Sequence, residues 1–248
     1  AGMGAFTPES GLSIQRRMVS AREEPLVRAN TLRLPPGKCI YVLEDSCGLS
    51  TAIVRAFTDK NLQARLLSPD RLTALQHGDR YLSDAAGMVI VSNPAQGDEE
   101  ADETVAKTAF LLAKHAADPL NRAAESGGAV FATLTRLDGA FGLNSTPMAH
   151  PSTGALAGLV KTAAIEWEGV SCRALDIDPE WHDDHAVAEI ITDELIHADP
   201  SAALEIGLSA SKRQVLEVRP LGQLVRAPHH LVHRAEAEPS HVAAQVLR

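Results

Sequence analysis

A turn that carries the chain from a buried strand into a helix can hold a phosphate, because glycines there let backbone N–H groups approach it. The chain offers such a turn after its first buried strand: Leu43-Glu44-Asp45-Ser46-Cys47-Gly48-Leu49-Ser50 follows the apolar run Cys39-Ile40-Tyr41-Val42-Leu43. It has a single glycine, Gly48, and two carboxylates stand just before it. Carboxylates beside an anionic pyrophosphate oppose its binding unless a cation intervenes. Two readings follow: a degenerate dinucleotide loop around Gly48 and Ser50, or a plain strand–helix turn that uses Gly48 at the helix start. Asp70 lies near the end of the next strand, where an acid would meet a ribose. It also fits the first turn of a helix after Pro69, where the macrodipole favours an acid.

Other groupings point to weaker chemistry. Trp181-His182-Asp183-Asp184-His185 brings two histidines and two acids together, as a metal site would. The alternative is that Asp183 or Asp184 caps a helix starting near Ala186. His229, His230 and His233 could share a helical face near the C-terminus, with no carboxylate behind them. No Gly-x-Ser-x-Gly elbow follows any strand, which argues against a hydrolase triad. The acidic run Asp98-Glu99-Glu100-Ala101-Asp102-Glu103 suits the start of a long helix, or a patch for a basic partner. No metal is expected.

Composition sets the frame for these residues. Of 248 residues, 23 are basic and 32 acidic, a balance of −9 that leaves nucleic acid no electrostatic footprint. The hydrophobic share of 45% supports a full core. Aromatics at 4% are too few for stacking platforms. No apolar run approaches the roughly 18 to 20 residues of a membrane helix, and no signal peptide is read. Cys39, Cys47 and Cys172 lack Cys-x-x-Cys spacing, so a reducing, cytoplasmic setting is expected.

Alternating patterns then position the site. Buried strands are read at 39–43, 64–67, 87–91, 129–134 and 170–177, with closing strands at 204–208 and 215–218. Helices are read at 48–61, 69–76, 102–116, 152–167 and 186–197. Repeated strand–helix units with Val/Ile/Leu-rich strands imply an α/β fold, a doubly wound, mostly parallel, Rossmann-like sheet. The expected organisation is an extended lead-in over 1–36, one Rossmann-like domain over 37–222 and a tail or linker over 223–248.

The stretch Gly127-Gly128-Ala129-Val130-Phe131-Ala132-Thr133-Leu134 resembles the fifth strand of the short-chain dehydrogenase/reductase family. The segment from Thr153 through Gly154-Ala-Leu-Ala-Gly-Leu-Val-Lys-Thr-Ala-Ala-Ile-Glu-Trp167 is similar to that family's active-site helix. It is most similar to the ketoreductase regions of polyketide and polyunsaturated fatty acid synthases. Cys172-Arg173-Ala174-Leu175-Asp176-Ile177-Asp178-Pro179 resembles the strand and proline turn that follow. The likeness covers roughly residues 38 to 219.

The resemblance implies a serine, a tyrosine and a lysine at fixed spacing before Glu166. In that register the serine position is Arg136, the tyrosine position Ala149 and the lysine position Thr153. Thr135 takes the serine's place if the register slips by one. Lys161, two helical turns on, is expected to point away. The family's glycine loop reads Glu44-Asp45-Ser46-Cys47-Gly48-Leu49-Ser50. Hydride transfer to a carbonyl needs a proton donor at the developing alkoxide, and Ala149 has no proton to give. Such ketoreductases consist of a catalytic half and a structural half without cofactor or catalyst. The resemblance therefore implies a catalytically silent structural half, with no cofactor of its own. NADPH would bind in the catalytic half, which is the expected partner along with neighbouring synthase domains or a second copy. The alternative is a divergent NAD(P)-dependent reductase with another proton donor, such as His150.

Overall fold

Five consecutive apolar side chains at Cys39–Leu43 cannot alternate between core and water, so this strand must be covered on both faces. In the computed structural model it is β2, and all five residues are buried. The structure describes residues 17–28, 31–76, 81–92, 99–144, 151–197 and 203–220, without the side chains of 99–103 and 151. The same two-faced burial marks β4 (Ala85–Val91), β5 (Ala129–Thr135) and β6 (Val170–Ile177). With β1 (Arg17–Glu23), β3 (Ala64–Leu67), β7 (Glu205–Leu208) and β8 (Arg213–Pro220) they form one sheet. Its order is β1-β8-β7-β6-β5-β4-β2-β3. Strands β2 to β7 are parallel, and β8 runs antiparallel to β7.

Helices cover both faces. Ile40, Val42, Val89, Val130 and Leu175 pack with α1 (Leu49–Asp59) and α5 (Asp184–Ile196). Tyr41, Met88, Ile90, Phe131 and Cys172 pack with α3 (Glu99–Ser126) and α4 (Ala155–Glu166). The short α2 (Arg71–Gln76) follows β3. This is a doubly wound Rossmann-like sheet. Its order reverses between β2 and β4, and the crevice beyond their carboxyl ends is where such sheets bind ligands.

Two elements differ from the sequence reading. Helix α3 was expected to end near Ala116 yet continues through Pro119 to Ser126. A proline inside a helix costs about 3 kcal/mol. Ala116, Leu120 and Ala123 stay on one buried face across it, and that burial carries the helix on. Part of the lead-in, Arg17–Glu23, is an edge strand, and its mostly exposed residues explain why it shows no apolar periodicity. Ser20–Glu217 holds the layers, while the two chain ends form a second unit. Within that second unit Arg17–Val19 and Val218–Pro220 are described, and Met18, Val19 and Val218 are exposed. The tail 223–248, with His229, His230 and His233, lies outside the described residues.

Helix α5 starts on a side-chain cap: the Asp183 carboxylate accepts the Ala186 N–H at 3.0 Å. Asp183→Ala should lower stability by about 1 kcal/mol, read as a lower urea midpoint at unchanged m. Nearby, Asp193 faces Arg28 and Lys60 at 2.9 and 3.4 Å. Burial pushes its carboxyl up, but the Arg28 hydrogen bond and the Lys60 charge outweigh this and hold it below the usual range. A carboxyl with a lowered folded pKa stabilises fully above its unfolded value of about 4, and that contribution fades as pH falls through the folded value. Unfolding of Asp193→Asn at pH 6 and pH 3 should therefore show a smaller stability difference than the wild type.

Candidate functional site

The crevice begins at the loop after β2. Gly48 precedes α1 with φ of +96°, a left-handed conformation that side chains resist. The turn aims N–H groups where a phosphate would sit, and Asp45 takes them. One oxygen of its carboxylate accepts from Gly48 N at 3.2 Å, Ser50 N at 3.0 Å and Ser50 Oγ at 2.6 Å. The Ser50 hydroxyl in turn accepts the Asp45 N–H at 3.1 Å. The sequence reading treated Asp45 only as a charge that opposes phosphate, and the structure adds that it occupies the donors. Glu44 stands exposed beside it, and Asp70 is exposed just before α2.

The second wall is the loop after β5. Arg136, which the sequence register aligns with the serine, ties two loops together here. Its guanidinium donates to the carbonyls of Trp181 at 3.0 Å and Asp178 at 3.4 Å, and pairs with Asp184 at 3.2 Å. Thr135 donates to Asp176 at 2.8 Å, so its hydroxyl is also engaged. Thr153 is buried in a 3₁₀ turn, Pro151–Gly154, ahead of α4. Ala149 and His150 lie outside the described residues. Lys161 pairs with Glu205 at 2.8 Å, the first residue of β7.

Two further carboxylates, missed in the sequence, organise this loop. Asp176 is fully buried and accepts the N–H groups of Leu137 at 2.7 Å and Phe141 at 2.8 Å, with Asp138 at 3.3 Å. Burial pushes its carboxyl up, against the pull of those donors and Thr135. Asp138 accepts from the N–H groups of Ala140 and Gly142, each at 2.8 Å, and of Asn144 at 2.9 Å. The signal was present: a lone acid inside an otherwise buried strand must find donors. The loop also rests on bare backbone. A Cβ on Gly207 would come within 2.0 Å of the Gly139 carbonyl oxygen.

The two acids of the 181–185 cluster have partners elsewhere. Asp183 caps α5 and Asp184 pairs with Arg136. Among the described residues no three His, Cys, Asp or Glu side chains converge. Burial pushes the Cys172 thiol up to about 12 and raises that of Cys39, which keeps both unreactive. No helix among the described residues is long and apolar enough to cross a membrane. In this loop the Gly48 and Ser50 N–H groups are engaged and the charge nearest them is negative, which opposes a dinucleotide's phosphates.

The close approach at Gly207 gives a sharp test. Gly207→Ala should lower stability by about 1–3 kcal/mol, because the whole loop after β5 must shift. At Gly158 in α4 a Cβ meets nothing, so Gly158→Ala should raise stability by about 0.5–1 kcal/mol. Thermal melts of the two variants should move in opposite directions.

A scan of protein-family models finds no match to the chain, and a search of curated proteins finds none either. Solved structures do match. A metagenomic short-chain oxidoreductase in complex with NADP shares 16% identity at a TM-score of 0.50, over 70% of this chain and 97% of that one. The first ketoreductase of the tylosin polyketide synthase shares 16% at 0.53, over 83% of this chain and 41% of that one. An N-terminal ketoreductase from the macrolactin assembly line shares 11% at 0.51, over 83% and 44% respectively. The chain thus spans less than half the length of either ketoreductase. At these identities the likeness is one of fold. The chain has the fold of short-chain dehydrogenases/reductases and resembles the ketoreductase regions of polyketide synthases.

Proposed function

We propose that this chain is the catalytically silent, structural half of a ketoreductase region in a polyketide or polyunsaturated fatty acid synthase. The observation that carries the reading is the Asp45 carboxylate, seated on the Gly48 and Ser50 N–H groups that a pyrophosphate would need. Arg136 supports it, since a guanidinium spent on two carbonyls and Asp184 is neither proton donor nor substrate clamp. The fold-level likeness to two ketoreductases about twice its length also supports a half.

In this reading the chain contributes buried surface, not chemistry. The partner is a catalytic half that binds NADPH and reduces a β-ketoacyl group on a carrier-tethered chain, in the cytoplasm. Phe110 on α3 and Ile165 on α4 stand 59% and 86% exposed, a surface that a covering partner would bury.

Calorimetric titration with NADPH and NADH up to millimolar concentration tests the reading, alongside a turnover assay on a β-ketoacyl thioester. The expected result is no saturable heat and no oxidation of NADPH. Micromolar binding with turnover would make the chain a reductase in its own right and overturn the proposal.

A further inference from the structure

Helix α3 keeps a proline in its interior, where no residue type is less favourable. Pro119 has no N–H to give, so the His115 carbonyl one turn earlier lacks its helical donor. Burial of Ala116, Leu120 and Ala123 explains how the helix survives the proline, not why a proline stands there. A local rule broken at a cost tends to mark a functional position.

His115 and Pro119 both line a cleft of about 470 Å³ between α3 and the residues that lead into β4. Its floor is apolar. Leu75 and Leu82 are each 2% exposed, and Pro119 is buried. Asp118 and Arg122 lie on its wall. An acid and a base four residues apart on a helix ordinarily pair with each other. Here neither side chain has a partner among the described residues. The cleft therefore offers a carboxylate and a carbonyl that can accept, a guanidinium that can donate, and an apolar floor.

We propose that this cleft binds a free α-amino acid with an apolar side chain. The ligand's ammonium meets the Asp118 carboxylate and the His115 carbonyl, and its carboxylate meets the Arg122 guanidinium. Its side chain covers Leu75 and Leu82. A simple anion would face Asp118 and a simple amine would face Arg122, so a zwitterion is the better complement. The cleft adjoins the amino end of β4, whereas the Gly48 turn follows the carboxyl end of the parallel strand β2. The inference is therefore independent of the functional reading above.

Calorimetric titration of the full chain with L-leucine and L-phenylalanine tests it, with 4-methylpentanoate and 3-methylbutylamine as analogues that lack one charge. At least one amino acid should bind saturably at a single site, and each analogue should bind roughly tenfold more weakly or worse. Asp118→Asn and Arg122→Gln should each weaken amino-acid binding by a similar factor. Pro119→Ala returns an N–H to the His115 carbonyl. It should raise the melting temperature and yet weaken binding, a split that a purely structural proline would not give. Three results would overturn the site: no saturable binding of either amino acid up to millimolar concentration, equal binding of the analogues, or wild-type affinity in the Asp118, Pro119 and Arg122 variants.

Discussion

Backbone N–H groups that a fold turns toward a crevice need an acceptor, and leaving them without one costs as much as a lost hydrogen bond. In a dinucleotide-binding sheet the ligand's phosphates supply it. Here the acceptors are carboxylates of the chain itself. Asp45 serves the loop after β2, and Asp138 and Asp176 serve the loop after β5. Those three side chains give both loops acceptors from within the chain.

The rest of the crevice follows from that arrangement. The loop after β5 can lie against β7 only because Gly207 leaves room for the Gly139 carbonyl. Its first residue, Arg136, then reaches the connection between β6 and α5 and fixes it through Trp181, Asp178 and Asp184. Arg136 thus ties the two loops together. The same economy appears at α5, where Asp183 caps the helix and Asp184 completes the arginine's pairing.

What was legible in the sequence was whatever burial on both faces imposes. Strands β2 and β4 are unbroken apolar runs, β5 and β6 are mostly apolar ones, and the structure places each within two residues of its reading. Edge strand β1 was legible only as extended chain, because an exposed ribbon held by ion pairs has no apolar period. The end of α3 was hidden by Pro119, a local signal that the packing of Leu120 and Ala123 overrides. At the site, the loss of the glycine pattern could be read directly. The use made of Asp45, Asp176 and Arg136 could not, since each depends on a neighbour brought in by the fold or on the angle of a single turn.

Engagement by Asp45 leaves the Gly48 and Ser50 N–H groups of the loop after β2 satisfied from within. It is tested most directly by adding inorganic pyrophosphate to the ¹⁵N-labelled chain and following the amide resonances of Gly48 and Ser50. With Asp45 on both N–H groups, these resonances should stay in place up to millimolar pyrophosphate. A saturable shift confined to them would mean that the loop still accepts phosphate, and that the carboxylate is a cap the ligand can displace.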